Sequence, residues 1–183
     1  IKTTTPATKS NVEVTRETIE RVLKSCDPAW TLIVALSRFG GLRSPSEVLS
    51  LRWCDVDLEK GMMFIPEPKV EHHEGRGVRA CPIFGELKPY LDDAWELRRS
   101  EYVVDSPIYR ERANTATGWR NANLRTQFLR ILNKAGVKPW KRLFHSMRAS
   151  RQTELEREHP LHVVCSWLGN TERIAKKNYL LVT

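Results

Sequence analysis

The feature that most constrains this chain is a change of hydrophobic period in its middle third. Before Trp53 the apolar residues recur at helical spacing. Ile19, Val22 and Leu23 share one face of a helix expected over Thr15–Ser25. A second helix is punctuated by Asp27 as N-cap, Pro28 at its first position and Gly40-Gly41 as its stop. Ser44-Pro45-Ser46-Glu47 reads as a capping box that opens a third, running through Val48, Leu49 and Leu51. After Trp53 the pattern shortens. Val56-Asp57-Leu58, a turn at Glu59-Lys60-Gly61, the apolar run Met62–Ile65, a polar loop from Glu67 to Gly77 and the run Val78–Ile83 predict three short antiparallel strands. From Gly85 helical spacing returns, with stripes at Leu87, Leu91, Ala94, Trp95, Leu97 and at Leu124, Phe128, Ile131, Leu132, Ala135. Short helices are expected near Ser146–Glu158, Leu161–Leu168 and Thr171–Tyr179, broken at Pro160 and Gly169. The fold class is therefore α+β and mainly α-helical, with one small three-stranded antiparallel sheet.

A chain of 183 residues suits one large domain. Ile1–Asn11 is Thr-rich and aperiodic and reads as a linker or frayed end, which leaves 12–183 as the domain. The first residue is Ile1, not Met, which predicts a piece of a longer protein. No apolar run reaches the ~18 residues of a membrane span. Cys26, Cys54, Cys81 and Cys165 lie far apart without a C-x-x-C pair, so neither a disulfide framework nor a zinc site is expected, and an intracellular, cytoplasmic setting is. His159, His162 and Cys165 fall at three-residue spacings, but core roles suit them better than a metal site.

Charge is unevenly spread. The chain carries +8, yet Ile108–Arg151 alone holds eleven basic residues against one acid, Glu111, and so +10, which leaves −2 for the rest. Arg110, Arg112, Arg120, Arg125, Arg130, Lys134, Lys138, Lys141, Arg142 and Arg151 form the candidate surface for a polyphosphate partner.

Catalytic signals for other chemistries are missing: there is no phosphate-binding P-loop, no G-x-S-x-G, and no paired carboxylates spaced for glycoside chemistry. What remains is a dispersed basic set ending in a tyrosine. Phe39-Gly40-Gly41-Leu42-Arg43-Ser44-Pro45-Ser46-Glu47, continuing to Trp53, comes first. Pro68-Lys69-Val70 follows in the loop after the second strand, then His145-Ser146-Met147-Arg148 at a helix start. Leu168-Gly169-Asn170 comes next, and Tyr179 lies nine residues beyond Asn170. Together these resemble, in order and from about Val12 to the end, the catalytic domain of the tyrosine recombinase, or phage integrase, family.

The resemblance implies a site-specific DNA recombinase that cleaves and rejoins strands through a 3′-phosphotyrosine, without metal, cofactor or ATP. Arg43 and Arg148 would bind the nonbridging phosphate oxygens, Lys69 would protonate the leaving 5′ oxygen, His145 would accept the tyrosine proton or orient the phosphate, and Tyr179 would be the nucleophile. Glu47 would hold the arginine from behind. Asn170 stands where the family has His or Trp; an amide can donate a hydrogen bond but carries neither proton nor charge. The implied partners are duplex DNA and three further copies in a synaptic tetramer, with this piece alone monomeric. The implied setting is a bacterial nucleoid or a phage-encoded protein, with an N-terminal core-binding domain ahead of the linker and a very short tail after Tyr179. A type IB topoisomerase uses the same residue types, and a DNA-binding descendant without activity would keep the basic surface; both are the alternatives.

Overall fold

The computed structural model describes residues 11–66, 77–113, 118 and 122–178. Thr15 caps α1 (Arg16–Leu23) by accepting from the Thr18 amide, and Asp27 caps α2 (Pro28–Arg38) by accepting from the Trp30 amide at 2.8 Å. The first helix stands where apolar spacing placed it, and the second where punctuation did. The next helix, α3 (Ser46–Ser50), is short, and its capping box does not form. Ser44 Oγ turns to Ser37 Oγ at 2.6 Å, and Glu47 reaches back to the amide of Arg43 at 2.8 Å.

A 3-10 turn (Trp53–Asp55) leads into β1 (Val56–Asp57), β2 (Met62–Pro66) and β3 (Val78–Pro82). The three strands form one antiparallel sheet in chain order, with Val56 opposite Met63 and Ile65 opposite Arg79. Strand alternation turns Met63, Ile65, Arg79 and Cys81 inward. An arginine on the inward face of a strand needs a buried partner, and it has one (below).

The helical remainder is α4 (Lys88–Glu96), α5 (Pro107–Ala113), α6 (Arg125–Lys134), α7 (Leu143–Glu156), α8 (Leu161–Leu168) and α9 (Glu172–Asn178). The fold class is thus as the periodicity predicts. Helix α5 is the addition, and its signal is Ser106-Pro107, a proline at the first helical position. Leu97 departs from its expected stripe: it lies beyond the last turn of α4 and is exposed.

One apolar core joins α1, α2, α4, α6 and the inner sheet face. Phe128 of α6 sits at its aromatic centre, stacked on Trp30 at 5.8 Å and flanked by Trp140 and Phe144 at 5.9 and 5.2 Å. A smaller cluster, Leu155, Val164 and Leu168, packs α8 onto the end of α7. Helix α7 crosses α2 and is tied to it by charge as well as packing. Arg38, fully buried, donates to both oxygens of Glu154 and to the Val14 carbonyl. Arg151 bridges Glu154 to Glu86, whose two oxygens it takes at 3.0 and 3.2 Å.

Truncating one member of a buried charge network strands the others. Glu154→Ala is expected to destabilise the domain by about 3–5 kcal/mol, read by urea unfolding, because Arg38 then stays buried without its carboxylate.

Candidate active site

The candidate site gathers on one carboxylate and one helix end. Glu47, in the first turn of α3, is 7% exposed. Its Oε1 accepts from Arg43 Nη1 at 2.5 Å and Arg79 Nη1 at 2.8 Å. Its Oε2 accepts from the Arg43 amide at 2.8 Å and Arg79 Nη2 at 2.7 Å. A carboxylate offers about four lone pairs, and all four are used. A third guanidinium, Arg148 Nη1, stands 3.9 Å from Oε2, near enough for charge but too far for a hydrogen bond.

The same three arginines close the carboxyl end of α8. Arg79 Nε donates to the Trp167 carbonyl at 3.0 Å, Arg148 Nη2 to the Leu168 carbonyl, and Arg43 Nη2 to the Gly169 carbonyl. A helix end exposes unpaired carbonyls and a partial negative charge, and cations there satisfy both. Gly169 caps α8 at φ +68°, in the left-handed region, which ends the helix. Arg148 Nη1 also donates to the carbonyl of Gly41. Gly41 sits at φ +67°, and a Cβ there would lie 2.7 Å from Leu168 Cδ2, so only glycine fits between the end of α2 and α8.

Burial alone would raise the Glu47 pKa; the Arg79 guanidinium, bonded to it, then Arg148 and Arg43, outweigh that and bring it down to about 2. His145 lies one turn before Arg148 on α7 and is exposed. Partial burial of its ring, then the charges of Arg142 and Arg148, lower its pKa below 6.5, so the neutral, proton-accepting form dominates at neutral pH.

Asn170 follows Gly169, the cap of α8, and one of its two amide hydrogens is used within the fold. Nδ2 donates to Gln152 Oε1 at 2.8 Å, and Gln152 Nε2 donates in turn to Glu156 Oε1 at 2.9 Å. Its Oδ1 is buried without a hydrogen-bond partner among the described residues. The structure therefore brings Arg43, Glu47 and Arg148 together at the carboxyl end of α8, with Asn170 just beyond that end and His145 one turn before Arg148 on α7. Lys69, Tyr179 and Arg120 lie outside the described residues.

Sequence reasoning missed Arg79. Its signal is present: V-R-A-C-P alternates, and the arginine falls on the face occupied by Cys81. The expected basic surface also divides. Arg112, Arg125, Arg130, Lys134, Lys138 and Lys141 are exposed. Arg110 is half-buried, paired with Asp105 at 2.7 Å, and Arg142 is half-buried at the N-cap of α7. Arg151 does not belong to the surface set: it is 3% exposed, bound to Glu86 and Glu154, and lies over the Phe84 ring at 4.4 Å.

No family model matches the chain. A curated relative, a tyrosine recombinase XerC-like protein of Caldanaerobacter subterraneus subsp. tengcongensis, is 27% identical over 201 residues, covering 91% of this chain and 50% of the relative. The crystal structure of XerA recombinase superposes with a TM-score of 0.71 at 17% identity, covering 94% of this chain and 62% of that one. The chain shares the fold of this recombinase. XerH site-specific recombinase, in a pre-cleavage complex with its difH substrate, gives a TM-score of 0.63 at 22% identity, over 94% of this chain and 51% of that one. The chain spans about half the length of the curated relative it matches. Within this fold Arg43 precedes α3, Glu47 lies in the first turn of α3, and His145 and Arg148 lie on α7.

Two outcomes follow from these shifts. The folded Glu47 pKa lies below the ordinary 4.5, so its stabilisation is complete above that value and is lost as pH falls toward about 2. Thermal melting followed from pH 6 downward should show its steepest loss below 4.5, and Glu47→Gln should flatten that slope while melting lower at neutral pH. For His145, NMR titration of the ring in the free protein should give a midpoint below 6.5, and Arg142→Gln should move it upward.

Proposed function

We propose that this chain is the catalytic part of a site-specific DNA recombinase that breaks and rejoins strands through a 3′-phosphotyrosine, with Tyr179 as the nucleophile. The observation that carries the reading is the joining of Arg43 and Arg148, 105 positions apart in sequence, at Glu47 and the end of α8. Two guanidiniums on one anionic hub, with a neutral-leaning histidine one turn away, suit phosphoryl transfer without a metal.

In this mechanism the Tyr179 oxygen forms a bond to phosphorus as the bond to the 5′ oxygen breaks. One ester replaces another, so no nucleotide is consumed. Arg43 and Arg148 stabilise the extra charge on the nonbridging oxygens. His145 takes the phenolic proton, and Lys69 supplies one to the departing 5′ oxygen. A hydroxyl from a partner strand reverses the step and joins new ends. Asn170 gives one amide hydrogen to Gln152 and offers the second, as a neutral donor, to a phosphate oxygen.

Duplex DNA is the partner, held by the outward set Arg112, Arg125, Arg130, Lys134, Lys138 and Lys141, with Arg110 and Arg142 at its edge and Arg120 in reach by sequence. These residues contact backbone and leave site choice to others. Four copies act together in the synapse, a core-binding domain precedes the linker 1–11, and the protein works in the cytoplasm. No helix among the described residues is long and apolar enough to cross a membrane.

The reading is tested with the full-length parent and a nicked suicide substrate. A protein–DNA adduct stable to boiling in detergent is expected, insensitive to EDTA, and removed by Tyr179→Phe with binding nearly intact. An adduct that persists in Tyr179→Phe refutes the nucleophile, and a gel shift with no adduct favours the inactive descendant. Relaxation of supercoiled plasmid by the lone protein, without paired sites, favours the topoisomerase.

Lys69 has its own test. Lys69→Ala should slow cleavage of normal DNA by about 10²–10⁴-fold. It should recover on a substrate whose bridging 5′ oxygen is sulfur, because a thiolate leaves unprotonated. Arg43 and Arg148 variants should show no such recovery.

A further inference from the structure

Arg79 is the least exposed of the three guanidiniums on Glu47 after Arg148, and it holds Glu47 with the full fork, one N–H to each oxygen. It fills two of the four lone pairs, while Arg43 fills the others through one Nη1–H and its amide. Arg148 stands 3.9 Å off, held instead by two backbone carbonyls. Were Arg79 absent, a carboxylate at 7% exposure would keep two empty lone pairs beside the two guanidiniums nearest to it. Leaving them empty is costly, so Arg148 would close the gap and Arg43 would be drawn further in. Those are the two groups that the proposed chemistry turns toward phosphate. Charge points the same way. Among the described residues, these three arginines and Glu47 sum to +2, which matches the doubly negative phosphorane of an in-line transfer; without Arg79 they sum to +1.

We propose that Arg79 is a positioning residue, which saturates Glu47 so that Arg43 and Arg148 stay available to a phosphate anion. The inference rests on the strand-transfer reading for its substrate, but not for its anion.

The test pairs two measurements on Arg79→Met, Arg79→Lys and the double variant Arg79→Met/Glu47→Gln. In the full-length parent, single-turnover cleavage of the suicide substrate should fall about 100-fold in Arg79→Met, the size of losing one charge-stabilising donor. The gel shift should be unchanged. The double variant should regain at least about 10-fold, because a neutral amide no longer draws the guanidiniums. A residue that only props the fold would lose more in the double variant. In this chain alone, inorganic phosphate is titrated against the Nε–H resonances of Arg43 and Arg148. Its dissociation constant should weaken about 10-fold in Arg79→Met and recover in the double variant.

If Arg79→Met does not fold, Arg79→Lys, which keeps the charge but cannot fork both oxygens, should show the same losses in smaller size, again relieved by Glu47→Gln. Wild-type cleavage and phosphate affinity in folded Arg79 variants, or losses that Glu47→Gln does not relieve, overturn the proposal. If wild-type protein forms no adduct while phosphate affinity still follows Arg79, the strand-transfer reading fails and the positioning role stands.

Discussion

The structure turns on a buried carboxylate that cannot be left alone. Glu47 sits where water hardly reaches, and a lone charge in such a place would be protonated or would unfold its surroundings. Here it is surrounded by guanidiniums from the turn before α3, from β3 and from α7. The ion cluster therefore does more than hold a site: it fixes how the sheet, α3 and α7 meet. Replacing it with apolar residues could leave a domain equally stable, because buried ion pairs seldom repay their full desolvation. What would be lost is the placement of two arginines.

The fold was largely legible in the sequence, because punctuation and period are local. Asp27-Pro28, Gly61 and the run Leu161–Leu168 specify their elements without help from distant residues, and those elements stand as expected. Ser44 shows the limit of that logic. Its neighbours spell a capping box, but tertiary contact offered Ser37 as a partner, and the hydroxyl went there. Leu97 shows another: helical spacing continued on paper beyond the turn at which α4 ends.

The site was legible in part, and for a different reason. Arg43, Glu47, His145 and Arg148 were found as a pattern of spacings, which says nothing about what holds them. The roles of Arg79 and Gln152 are set by three-dimensional partners, Glu47 and Asn170, that no local window contains. The basic stretch erred in the same direction. Eleven cations within one segment suggest a single surface, but a helix turns every residue through about 100°, so neighbours in sequence face opposite ways. Arg148 and Arg151, three residues apart, share the inward side of α7 and are both buried, Arg151 with Glu86 and Glu154.

The three carbonyls of Trp167, Leu168 and Gly169 carry a consequence for how such a site can be dissected. They contribute through main-chain oxygens, which every amino acid owns. An alanine scan across Trp167 and Leu168 would exchange side chains and leave all three acceptors in position. Genetics conducted one side chain at a time would thus report packing defects at these positions and nothing about the arginines. Only chemistry that edits the backbone, such as replacing the amide after an acceptor by an ester to weaken its carbonyl, reaches this part of the machinery directly.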